Sequence, residues 1–151
     1  MHKLAISEIK DILKRKNLDP RVGWFYIQFK NHYEEEYVID EISLEGAIKD
    51  LLGFLRDKRV SEVLFFPEPS YEYDIPSGIL RVDELENFLR KNVNTITNTH
   101  VADKDLDWIF TITHEDDFFI SGNKALVSDF ITFFKDARCT PYKVIKEKWN
   151  K

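Results

Sequence analysis

Apolar positions along the chain fall into short alternating runs and longer runs of helical spacing. From Ser7 to Lys16, Ile9, Ile12 and Leu13 lie on one helical face, and Ser7 is the predicted N-cap. Asn17-Leu18-Asp19-Pro20 ends that helix. Val22 to Lys30 carries Trp24, Phe25, Tyr26, Ile27 and Phe29, an aromatic and β-branched run that predicts a strand. Tyr37-Val38-Ile39 predicts a second strand, joined to the first through the polar residues Asn31 to Glu36 as a hairpin. After Ser43, a predicted cap, Leu44, Ala47, Ile48, Leu51, Leu52 and Leu55 form the stripe of an amphipathic helix.

Glu62-Val63-Leu64-Phe65-Phe66 predicts a short strand, stopped by Pro67 and Pro69. Pro67 to Gly78 is the longest irregular stretch. Asp83-Glu84-Leu85-Glu86 has the spacing of a capping box, with Asp83 as the cap of a third helix that buries Leu85, Phe88 and Leu89. A meander follows, with strands at Thr95–Val101, Trp108–Thr113 and Phe118–Ser121. Alternation places Trp108, Phe110 and Ile112 on one face and Ile109, Thr111 and Thr113 on the other. A fourth helix spans about Asn123 to Lys135. After Pro141, the spacing of Tyr142, Ile145 and Trp149 predicts a short docked helix.

Strands and helices do not alternate strictly, which favours α+β over a doubly wound parallel sheet. The expected architecture is a mainly antiparallel sheet of five to six strands, with four helices in a single layer. The length of 151 residues and the lack of a long linker predict one domain over 1–151.

Composition narrows the chemistry. One cysteine, Cys139, excludes an intramolecular disulfide, and no Cys-x-x-Cys pair exists for a thiolate zinc site. There is no apolar core of a secretory signal and no run long enough to span a bilayer, so the expectation is a cytoplasmic protein without a membrane contact. The net charge of −5 argues against nucleic acid as a partner. That charge is uneven: residues 1–59 sum to zero, 60–130 to −9 and 131–151 to +4. An acidic middle segment suits a basic protein partner, because complementary fields speed encounter.

Specific motifs mostly lack a part. Asp103-Lys104-Asp105-Leu106-Asp107 opens like a calcium loop, but positions six and twelve hold Trp108 and His114 instead of glycine and glutamate. It reads as an acidic turn. His114-Glu115-Asp116-Asp117 offers an imidazole and three carboxylates in one turn, with His100 a partner only if its strand pairs in register with Trp108–Thr113. A small metal-assisted hydrolase or ligand-binding enzyme, using His114, Glu115 and His100, is the enzymatic alternative on these residues. Nothing places His32, His100 or His114 beside Cys139, and no Gly-x-Ser-x-Gly elbow is present. Ser121-Gly122-Asn123-Lys124 reads as a turn glycine followed by an Asn cap.

No catalytic residue, metal ligand or cofactor is therefore assigned. The candidate interface comprises Tyr71 and Tyr73 on the proline-bounded loop, Asp103, Asp105 and Asp107, and Glu115, Asp116 and Asp117. A third reading is a subunit that buries some of its twelve phenylalanines in an oligomer.

From Asp107 to Phe134 the chain runs strand, acidic turn, strand ending in Gly122, then amphipathic helix. This unit resembles the closing unit of small uncharacterised bacterial α+β proteins, some of which are immunity proteins that neutralise toxin domains. The resemblance covers about a fifth of the chain and carries over no functional residue. It implies a non-enzymatic protein-binding role.

Overall fold

The structure is a computed structural model that describes residues 1–18, 33–67, 76–92, 98–113 and 117–142. Its strands are β1 (His2–Leu4), β2 (Glu35–Asp40), β3 (Glu62–Pro67), β4 (Ser77–Arg81), β5 (Thr99–Ala102), β6 (Trp108–Ile112), β7 (Phe118–Gly122) and β8 (Arg138–Pro141). Its helices are α1 (Ile6–Arg15), α2 (Leu44–Asp57), α3 (Val82–Asn92) and α4 (Lys124–Ile131). The eight strands join one open sheet in the order β1-β4-β3-β5-β6-β7-β2-β8. Every neighbouring pair is antiparallel.

The α+β class and the antiparallel pairing are as expected, but eight strands replace the expected five to six. The patterning misses β1, β4 and β8. Each has three to five residues, too few for alternation to show, and β1 and β8 are the sheet edges. The predicted strand Val22–Lys30 and the helix after Tyr142 lie outside the described residues. Among the described residues, β2 pairs with β7 and β8.

The single layer of helices is also corrected. Helices α2, α3 and α4 cover one face, where Leu51, Leu55, Leu85, Leu89 and Phe130 meet Val63, Phe65, Val101, Phe110 and Ile120. Helix α1 covers part of the other, where Ile9 and Leu13 meet Leu64, Phe66, Ala102 and Ile109. The physical reason lies in β3. Val63 and Phe65 point one way and Leu64 and Phe66 the other, so water must be excluded from both sides. A short continuous apolar run carries that signal in the sequence.

Helix ends follow local chemistry. Ser43 Oγ accepts the Gly46 N–H at 3.0 Å, and Asn123 Oδ1 accepts the Leu126 N–H at 2.9 Å, as expected of caps. Two predicted caps are not used. Helix α1 starts after Ala5, one residue before Ser7, and the Glu8 side chain reaches back to the Ala5 N–H at 3.5 Å. Helix α3 follows β4 directly, so Asp83 lies within its first turn and pairs with Arg81. Among the described residues no helix is long and apolar enough to cross a membrane.

Candidate functional site

The register of β5 and β6, with Ala102 opposite Ile109, leaves Asp103 to Asp107 as the tight connection. Backbone bonds close it: Asp103 N–H to Trp108 C=O at 3.2 Å and Leu106 N–H to Asp103 C=O at 2.9 Å. Asp103 Oδ2 also accepts the N–H groups of Asp105 at 3.2 Å and Asp107 at 3.4 Å. Aspartate suits this place because its short carboxylate reaches backbone donors two to four residues on. Leu106 takes a left-handed φ of 58° and buries its side chain against α1. Its carbonyl accepts the Tyr33 hydroxyl hydrogen.

This folding of the turn gathers three carboxylates. Oxygen atoms of Asp103, Asp105 and Asp107 lie within 4.8 Å of one another, with Asp103 half-buried and the other two exposed. Burial pushes the Asp103 carboxyl up. Its two backbone donors oppose that shift, and the charges of Asp107 and Asp105 add to it. The connection is five residues between two strands, whereas an EF-hand loop is flanked by helices.

Cations stand around the turn. Lys16 Nζ lies 3.5 Å from Asp107 Oδ1, and Lys104 Nζ lies 3.0 Å from Glu62 Oε1. A cleft of about 460 Å³ between α1 and the turn is lined by Ile12, Arg15, Lys16, Lys104, Asp105 and Leu106. Asp105 has no ion pair among the described residues.

Of the other candidates, Asp117 does not join this turn. Tyr71, Tyr73, Glu115 and Asp116 lie outside the described residues. Their described neighbours Pro67, Ser77, Thr113 and Asp117 stand at the opposite end of the sheet. The length of β6 separates the two ends by about 17 Å. Asp117 closes the β6–β7 turn: its carboxylate and carbonyl meet the Thr113 hydroxyl, and Thr113 N–H donates to its carbonyl at 3.0 Å.

The described acids of 60–130 are spread over several elements. Glu62, Asp83, Glu84, Glu86, Asp107 and Asp129 each pair with a nearby lysine or arginine. They are distributed over β3, α3, α4 and the β5–β6 turn, on both sides of the sheet. The sum of −9 already counts Arg81, Arg90 and Lys104, while Lys16 and Lys58 bring cations from outside the segment. Sequence alone misses this because the partners, such as Lys16 for Asp107 and Lys58 for Asp129, are far away in the chain.

His100 and Cys139 lie on separate strands. His100 does pair in register, opposite Thr111, but it is 0% exposed. Its Nδ1 lies 2.8 Å from Thr111 Oγ1 and its ring packs against Phe66. His114 lies outside the described residues, as does His32. Cys139 sits half-buried on β8, where burial and then the charge of Asp40 push its thiol up, away from the reactive thiolate. Four strand spacings, about 19 Å, separate β8 from the His100 strand.

At the start of α4, Glu34 Oε1 accepts the Lys124 N–H at 2.9 Å, so the chain supplies its own anion there. No sequence signal links Glu34 to Lys124. The ten described phenylalanines, Phe54, Phe65, Phe66, Phe88, Phe110, Phe118, Phe119, Phe130, Phe133 and Phe134, are all buried or partly buried. Most of them belong to the core.

A scan against protein-family models, a search of curated proteins and a search of solved structures each find no match to this chain.

Proposed function

We propose that this protein is a non-enzymatic binding module of the immunity type, which meets a basic protein partner through the β5–β6 turn. The observation that carries this reading is the convergence of Asp103, Asp105 and Asp107 within 4.8 Å on that turn. Like charges held this close repel, and among the described residues Asp107 is the member of the trio that has an ion pair, with Lys16. A partner lysine or arginine would relieve that repulsion, most directly at exposed Asp105. The backbone bonds of the turn set its shape and hold the Asp103 carboxylate before encounter, so little backbone ordering is lost on binding.

The test is association with the product of the adjacent gene, measured at low and high salt. The wild-type chain is expected to form a complex that weakens as salt rises. Asp105→Lys, checked for an unchanged melting temperature, is expected to slow association roughly tenfold. A complex with unchanged association kinetics in Asp105→Lys removes the turn from the interface. Absence of any salt-sensitive complex overturns the binding role.

A further inference from the structure

We draw no further inference here: the strongest candidate, the groove of about 410 Å³ between the C-terminal end of α2 and the N-terminal end of α4, floored by Phe54, Trp108 and Leu126, is an open apolar face whose rim cation Lys58 is already paired with Asp129, and nothing in the structure shows what covers it.

Discussion

The Tyr33 hydroxyl donates to the carbonyl oxygen of Leu106, fastening the chain before β2 to the acidic turn between β5 and β6. The tyrosine ring packs on the same cluster that buries Ile9, Leu13 and Leu106. Tyr33→Phe keeps the ring and removes the donor, leaving a carbonyl with one partner fewer. The expected cost is about 1 kcal/mol, read from urea unfolding. Faster hydrogen exchange at the Leu106 amide is expected to accompany it. Unchanged exchange would show that the turn holds without the tyrosine.

The same hydroxyl gives a pH prediction. Burial, and then the charges of Asp107 and Asp103, push the Tyr33 phenol above its ordinary value. In the unfolded chain it ionises near pH 10, while in the native state it keeps its proton. Above about pH 10 the native state therefore binds more protons than the unfolded state, and stability falls as pH rises. Tyr33→Phe is expected to flatten that alkaline loss. Melting temperatures of both proteins between pH 8 and about 11 check it.

Asp103 tests the turn from the acid side. Its raised carboxyl means that the folded state holds the proton to higher pH than the unfolded chain. The electrostatic cost is present in full at neutral pH and disappears below the unfolded value of about 3.9. Asp103→Asn keeps an oxygen for the Asp105 and Asp107 N–H groups and removes the charge. It is expected to match or exceed wild-type stability at pH 7, with the difference closing as pH falls through the carboxylate range. Asp103→Ala, which removes the acceptor, is expected to cost about 1–2 kcal/mol. A destabilised Asp103→Asn at pH 7 would contradict a carboxyl raised by burial and by its acidic neighbours.

Arg59 ends α2 in the left-handed region, with φ 55° and an exposed side chain. Its N–H bonds to Arg56 C=O at 3.1 Å and the Val60 N–H to Leu55 C=O at 2.9 Å, the pattern of a Schellman end. Glycine carries no Cβ penalty there, so Arg59→Gly is expected to stabilise by about 0.5–1 kcal/mol. Leu106 has a similar φ of 58° but is 1% exposed. There glycine loses a buried side chain worth about 1.5–3 kcal/mol, so Leu106→Gly is expected to destabilise. Thermal melts of the two variants should shift in opposite directions.

Gly78 is the second residue of β4, opposite Lys3 of β1 on one side and Phe65 of β3 on the other. A Cβ built there would stand 2.2 Å from the His2 carbonyl oxygen. That contact is with backbone, so relief requires β1 to move. Gly78→Ala is expected to destabilise by about 1–3 kcal/mol and to expose the amides of β1 to exchange first. Full protection of β1 in the variant would show that the strand shifts without unpairing.

The sequence by itself determined the elements whose signal is local. The stripe from Ala47 to Leu55 formed α2, Ser43 and Asn123 capped as their chemistry requires, and the alternation from Trp108 to Ile112 assigned its two faces correctly. Tertiary structure alone decided the edge strands, because three residues such as His2–Leu4 become a strand only when β4 offers its edge. It also decided where charge matters. Residues 60–130 sum to −9 along the chain, but Lys16 and Lys58 reach Asp107 and Asp129 from outside that segment. It brought Asp103, Asp105 and Asp107 together while setting Asp117 at the far end of the sheet. Propensity and periodicity act between near neighbours. Coulomb energy depends on distance through space, and that distance is set by strand register.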